Sequence, residues 1–316
     1  MDKEKQNKIN EINFKNSLKS SDTEEWWDIK FNRPIGYFWA KCAIPLHISP
    51  NMITIASIFI GAIGGWLFYY NDFWINIIGM ILLVLANTFD SADGQLARLT
   101  NNKTQLGRIL DGLAGDIWFF IIYLALVLRL TLIENYNVVG IWLLGIAAGV
   151  SHILAAAMAD YYRNIHLFFL KGKDGSEHDT SKKVKQDFAQ TKFKDNPFKK
   201  VSLWFYLNYT KTQETLSPKF QTFWQTLISM YGNSIPKDLS SEIREKNKKY
   251  MSLTNILQFN TRVAFLFFSL LIQLPWLYFV FDVVVMNTIL IYLILKEENL
   301  FENYNKELRS ISKYKQ

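Results

Sequence analysis

At 316 residues, with 35 Lys and Arg against 28 Asp and Glu, the chain carries a net charge of +7, and 50% of it is hydrophobic. Apolar blocks alternate with Lys-rich ones, and 24 Phe, 15 Tyr and 10 Trp beside 20% charge read as an integral membrane protein with polar ends and one large polar insertion. A single cysteine, Cys42, excludes an internal disulfide framework, and the basic excess, with no nucleic-acid motif, suits an anionic lipid surface and no nucleic acid.

Residues 1–25 are rich in Lys, Asn and Glu without an apolar face, and are expected to be a mobile polar N-terminus, not a signal peptide. Residues 26–49 mix Trp26, Trp27, Tyr37, Phe38 and Trp39 with Lys30, Arg33 and Lys41. Aromatics beside cations suit a membrane interface, so an amphipathic helix is expected there, lying on the cytoplasmic leaflet or packed on a bundle. Ser49 and Pro50 form a helix start, with serine as cap and proline at the first position. Residues 52–70 carry no charge and are long enough to span. Residues 71–73 turn the chain, and 74–89 make a second span. A third starts near Thr104 and runs to about residue 132, with Arg129 expected to snorkel toward the far interface. A fourth covers 138–158, holds His152 as a packed histidine, and ends at Asp160 and Arg163.

Spans one to four thus occupy residues 50–163, and 164–250 form a basic cytoplasmic insertion. Within it, 171–200 are expected to be loop-like and 204–231 to form two short helices, with Ser241 capping another helix through Lys249. The last two spans, 252–273 and 275–295, fall within residues 251–296, and 297–316 are a charged cytoplasmic tail. The expected fold class is all-α: a polytopic six-transmembrane-helix bundle with an N-terminal interfacial amphipathic helix and a helical cytoplasmic insertion.

Chemistry concentrates in residues 90–116, DSADGQLARLTNNKTQLGRILDGLAGD. Asp90, Asp93 and Arg98 end one apolar segment, while Gly107, Asp111 and Asp116 open the next. Carboxylates at a bilayer edge are costly unless something pairs with them, and Asp90 and Asp93 share a helix face. Several carboxylates converging from two helices repel one another unless a divalent cation is bound. Oxygen-only ligands point to Mg²⁺ or Mn²⁺ rather than zinc.

At these residues the chain resembles the CDP-alcohol phosphotransferase family, whose signature is DxxDGxxARx8GxxxDxxxD. Asp90, Asp93, Gly94, Ala97, Arg98, Gly107 and Asp111 fall on it in register. Seven fixed positions match by chance on the order of 10⁻⁸ per starting point, which makes coincidence a poor account. The fourth aspartate is displaced: Gly115 stands at its position and Asp116 follows. Five residues past Asp111 is about 140° round a regular helix, so Asp116 reaches the site only through a one-residue π-bulge.

The resemblance implies transfer of a phospho-alcohol group from a CDP-linked donor to an alcohol, with release of CMP. Two Mg²⁺ or Mn²⁺ ions would be held by Asp90, Asp93, Asp111 and Asp116, with Asp116 also the candidate base. Asn51, Gly94, Ala97, Arg98 and Gly107 would surround the CDP moiety. The expected donor is CDP-diacylglycerol and the acceptor a small alcohol or an alcohol phosphate such as inositol phosphate or glycerol phosphate. The reverse arrangement, CDP-choline or CDP-ethanolamine passing its head group to a diacylglycerol lipid, shares the motif. A silent CDP-binding scaffold is the reading from another class, favoured by Gly115. Arg262, about 13–15 Å into its span, needs an anionic partner, either an aspartate or, with Arg163, the acceptor phosphate. Six spans put both ends on one side, and the opposite turns lack Lys and Arg, so termini and site are expected on the cytoplasmic face of the inner membrane. The resemblance also implies a homodimer.

Overall fold

The computed structural model describes residues 22–102, 105–172, 179–232 and 234–314, with Phe14 besides, and all regular structure among them is helical. The side chains of residues 105, 106, 108, 109, 111, 198 and 311–314 lie outside that description, as do the backbones of 1–13 and 15–21 where a mobile N-terminus was expected.

A π-helical turn (Asp28–Asn32) leads into α1 (Arg33–Ala43). Helix α2 (Pro50–Trp66) starts where the sequence places it: the Ser49 side chain accepts from the Met52 amide and Pro50 occupies the first turn. Asp72 caps α3 (Phe73–Leu99) in the same way, through the Ile75 amide at 2.9 Å. Then come α4 (Gln105–Leu128), extended by a π-helical turn (Arg129–Ile133), and α5 (Val138–Lys171). Four further helices fill the insertion: α6 (Ser181–Gln190), α7 (Pro197–Leu216), α8 (Pro218–Tyr231) and α9 (Lys237–Lys248). The chain closes with α10 (Met251–Ile256), α11 (Phe259–Leu271), α12 (Trp276–Val280), a π-helical segment (Phe281–Met286) and α13 (Asn287–Tyr314).

Among the described residues, five stretches are long and apolar enough to cross a membrane: Pro50–Tyr69, Phe73–Leu99, Gly112–Ile133, Val138–Lys171 and Trp276–Ser310. They turn Phe59, Trp74, Ile81, Phe120 and Leu143 outward, a distribution that suits hydrocarbon and not water. The expected fifth span, 252–273, is divided. Leu257 and Gln258 interrupt it between α10 and α11, leaving a 13-residue apolar helix. At about 1.5 Å per residue, 13 residues reach ~20 Å, short of a ~30 Å hydrocarbon core.

Two compact units emerge, one of residues up to Val150 with Phe259–Val283, the other of Ser151–Gln258 with Val284 onward. In the first, Phe68, Leu83, Trp118, Ile122, Leu126, Leu266 and Phe279 form the core. Glycines let its helices approach closely: a Cβ on Gly61 would lie 2.3 Å from the Trp118 indole nitrogen, and one on Gly64 2.9 Å from the Gly79 carbonyl. Arg129 corrects an expectation. It does not snorkel outward but is fully buried, donating to Glu134 (2.7 Å), Asn71 (2.8 Å), Gln273 (3.2 Å) and the Tyr70 carbonyl (3.4 Å). One guanidinium thereby ties three turns together.

In the second unit, Phe220 and Phe223 of α8 pack on Phe301 and Tyr304 of α13. Phe301, Tyr304 and Leu308 are buried at helical spacing, which is why the supposed tail continues as helix. The expected loop at 171–200 contains α6, because Thr180 caps it and Val184 and Phe188 pack on Leu203 and Leu207 of α7. Helix α9 begins four residues before Ser241, after Pro236, so Ser241 lies inside it.

Candidate active site

Helix α3 carries the motif to its C-terminal end without a break. At 100° per residue, Asp90, Asp93, Gly94 and Ala97 fall within an arc of about 100°. Ser91 and Gln95 lie on the adjoining side, and Ala92 and Leu96 point into a small core with Ala40, Ala43 and Ile53. The sequence pattern therefore sorts itself into a chemical face, a docking face and a packing face on one helix.

The docking face receives α1. Gln95 donates to the Arg33 carbonyl at 3.1 Å, and the Arg33 guanidinium reaches the Ser91 hydroxyl at 3.3 Å and Glu24 at 3.1 Å. Gly36 permits the contact, since a Cβ there would lie 2.8 Å from both Ser91 and Gln95 side chains. Of the two expectations for residues 26–49, packing on the bundle is what the structure shows. Gly36, Ala40 and Ala43 are buried on the motif helix, while Trp26, Trp27, Phe31 and Phe38 stay exposed on the other side.

On the chemical face, Asp93 is buried and accepts a hydrogen bond from the Thr54 hydroxyl of α2, also buried. Thr54 also lies 3.1 Å from the Pro50 carbonyl, but a hydroxyl has one proton and the carboxylate is the stronger acceptor. Asn51, one turn earlier in α2, shares the Thr54 side of the helix. The Arg98 guanidinium folds back over Gly94, and a Cβ on Gly94 would meet it at 3.4 Å, an ordinary contact.

Gly107 and Asp111 lie in the first part of α4, and the Asp111 side chain is outside the described residues. Helix α4 is regular from Gln105 to Leu128, so no bulge brings Asp116 round. Its side chain is exposed, about 140° from Asp111. Among the described residues a Cβ on Gly115 would meet nothing within 4 Å, which leaves room for a side chain at the signature's fourth position. Among the described residues no three His, Cys, Asp or Glu side chains gather as a metal group. The pair that is described, Asp90 and Asp93, offers oxygen donors only, which fits a hard divalent cation and no thiophilic one.

Arg262 and Arg163 each have protein partners. Arg262 is fully buried in an ion pair with Asp282, whose carboxylate also accepts from Tyr123, with the Tyr278 hydroxyl 3.4 Å from that of Tyr123. Arg163 donates to Gln258 at 2.9 Å and to Asp160 at 3.2 Å, and its side chain is 28% exposed. His152 is buried. Reading the sequence missed Asp282 and Thr54. Asp282 had a visible signal, as the one acid in an otherwise apolar stretch 20 residues after Arg262. Thr54 had none beyond its place in the first turn of α2.

Comparison with known proteins agrees with this placement. A family model described as CDP-alcohol phosphatidyltransferase matches residues 47–171. An uncharacterized protein of Aquifex aeolicus is 38% identical over 78 residues, 25% of this chain and 36% of that one. A CDP-diacylglycerol–serine O-phosphatidyltransferase of Helicobacter pylori is 36% identical over 75 residues, 24% of this chain and 30% of the relative. A CDP-diacylglycerol–glycerol-3-phosphate 3-phosphatidyltransferase of Rickettsia typhi is 38% identical over 68 residues, 22% and 38% of the two chains. The chain thus spans about a third of the length of the curated relatives it matches. The matched stretch is the one that contains α2, α3 and α4 with the aspartate face, so over residues 47–171 the chain is similar to the CDP-alcohol phosphatidyltransferase family.

Proposed function

We propose that the chain is a membrane transferase that moves a phosphatidyl group from CDP-diacylglycerol to the hydroxyl of a small alcohol or alcohol phosphate and releases CMP. The observation that carries this reading is the single α3 face holding Asp90, Asp93, Gly94 and Ala97, with Thr54 fixing Asp93 from α2. The two relatives with named activities both take CDP-diacylglycerol in their names, which favours a lipid donor over a CDP-linked head group. Asp90, Asp93 and Asp111 would hold Mg²⁺ or Mn²⁺, two ions in this reading. Bound there, the ions supply positive charge against the diphosphate as the leaving phosphate gains charge.

The protein's own groups do the rest. Gly94 and Ala97 leave space on the face for the cytidine, and Arg98 contacts phosphate through its guanidinium. Asn51 and Gly107 complete the surroundings of the CDP moiety. The acceptor oxygen bonds to the phosphorus that bears the diacylglycerol. The bond from that phosphorus to the bridging oxygen breaks, and the oxygen leaves with its electron pair as part of CMP. The alcohol proton goes to a carboxylate of the Asp90, Asp93 and Asp111 set, since Asp116 is turned about 140° from Asp111 and exposed. Arg163, partly exposed, is available to an acceptor phosphate, whereas Arg262 is engaged by Asp282. The site on the cytoplasmic side of the membrane, a homodimeric assembly and, where α11 completes a sixth crossing, both termini on that same side complete the reading.

The test is CMP release by the purified chain with CDP-diacylglycerol, Mg²⁺ or Mn²⁺, and serine, glycerol 3-phosphate or inositol phosphate in turn. Release with one acceptor, lost in Asp93→Asn, is expected. A monodisperse protein that binds CDP yet releases no CMP with any acceptor would be a scaffold, and the proposal would fall.

A further inference from the structure

Residues 181–216, the α6–α7 hairpin with its turn, contain eight lysines, two aspartates and one glutamate, a net charge of 8 − 3 = +5 against +7 for the whole chain. The hairpin is held by Val184 and Phe188 against Leu203 and Leu207. Helix α7 buries Leu203, Leu207, Thr210 and Gln213 along one stripe. Val201 and Phe205 point about 145–175° away from that stripe and Trp204 about 115°, and they are 46%, 56% and 52% exposed. Phe193 in the connecting turn is 61% exposed. A helix with an apolar stripe on each side has a second partner besides its own hairpin.

The place where α7 is fastened says what that partner is. Gln213 donates to the Ala157 carbonyl at 2.9 Å and the Tyr209 hydroxyl to Asp160 at 3.3 Å, both on α5. Helix α5 is a candidate span, and Ala157 to Asp160 is where its apolar sequence gives way to Asp160, Arg163 and Asn164. The hairpin is therefore tied to a span at its polar end, where a bilayer surface lies. An open groove of about 280 Å³ runs between the two helices there, lined by Leu154, Asn208, Lys211, Thr212, Thr215 and Leu216. Exposed aromatics flanked by lysines are the composition of interfacial helices that bind anionic lipid.

We propose that the α6–α7 hairpin docks on an anionic bilayer surface. Val201, Trp204 and Phe205 enter the boundary between head groups and acyl chains, and Lys192 and Lys194, beside the exposed Phe193 in the connecting turn, contact the anionic head groups. This goes beyond the transferase reading and does not depend on it.

The experiment uses the full-length chain with Cys42→Ser, because Cys42 is exposed, and Trp204→Cys carrying an environment-sensitive fluorophore. The protein is reconstituted into phosphatidylcholine alone or phosphatidylcholine with phosphatidylglycerol, with a nitroxide on the lipid acyl chain as quencher. Quenching is expected to be at least about threefold stronger in the anionic bilayer, and to fall to the phosphatidylcholine level as salt is raised. Changing Lys192 and Lys194 to Glu should give the same fall. The salt titration needs no lysine substitution, so the result does not hinge on how those variants fold. Equal quenching in both bilayers would overturn the proposal, as would a label open to iodide in both. Protection that rises with protein density at fixed lipid composition would assign the face to a second copy of the chain instead.

Discussion

Two regions of the first unit place ionisable groups among apolar helices, and they balance charge in opposite ways. Around Arg262 the charge is closed: one guanidinium and one carboxylate pair in full burial, and two tyrosine hydroxyls lie on the Asp282 side. At the end of α3 two aspartates stand within one turn of each other with one arginine nearby, and Asp111 follows in α4. The first set sums to zero and needs nothing from outside. The second gathers carboxylates on two consecutive helices, and the proposed function assigns them a divalent cation. A polar group that holds helices together thus stands beside one to which the proposed function gives a ligand.

The sharpest way to break this comparison is at the acidic face. Asp93→Asn keeps the size of the side chain and an acceptor for Thr54 but removes the charge. CMP release should drop by at least about 10³-fold, ~4 kcal/mol in the barrier, with the melting temperature close to that of the parent. A variant that melts early would instead make Asp93 a structural group.

The reverse pattern is expected at Arg262. Arg262→Met strands Asp282 in the core and should destabilise by about 3–5 kcal/mol, whereas Arg262→Met combined with Asp282→Leu removes both charges and should recover most of that loss. Unfolding in a denaturant series, followed by circular dichroism, reads both. If the double variant were as unstable as the single one, the pair would be more than a balanced salt bridge.

Much of this contrast was legible in the sequence, and the limits are physical. The aspartate face was readable because a helix fixes the spacing of its own side chains: positions 90, 93, 94 and 97 share a face whatever packs nearby. Ser49 and Pro50 announced α2 for the same local reason. What joins distant residues was not readable. Arg129 has an expected escape to the interface, and only the packing of three turns shows that Glu134, Asn71 and Gln273 hold it instead. The interruption at Leu257 and Gln258 has no Pro or Gly to announce it; the Gln258 side chain accepts from Arg163, 95 residues away in sequence. Helix α6 was taken for a loop because its two core residues, Val184 and Phe188, are too few to outweigh its charges until Leu203 and Leu207 are in place.

A smaller effect should come from Thr54, which touches the acidic face from outside it. Thr54→Val keeps the shape and removes the donor that orients Asp93, and outer partners of this kind contribute about 10–100-fold to activity or metal affinity. The loss should appear as weaker Mg²⁺ or Mn²⁺ dependence, with activity partly restored at high metal. A loss that no metal concentration relieves would place the threonine in contact with substrate. Gly115→Asp tests the face from the other helix. Space for the side chain exists, so the variant should fold, and an acid at the signature position should raise CMP release by about tenfold. An unchanged rate would show that the existing carboxylates already take the proton.

The least disruptive change separates two glycines that look alike in sequence. Gly61 is bare because Trp118 fills its side of the helix: a Cβ would overlap the indole at 2.3 Å, so Gly61→Ala should destabilise by about 1–3 kcal/mol. Gly94 has no such neighbour, since its Cβ would rest 3.4 Å from a mobile arginine head group, and glycine within a helix costs about 0.8–1 kcal/mol relative to alanine. Among the described residues packing gives no reason for Gly94, and the proposed function gives one, the cytidine on that face. Gly94→Ala is therefore expected to raise the melting temperature slightly while raising KM for the CDP-linked donor several-fold, about 1 kcal/mol, with kcat less affected. A stabilised variant with an unchanged KM would mean that the nucleotide lies elsewhere, and the acidic face would lose its claim to the CDP moiety.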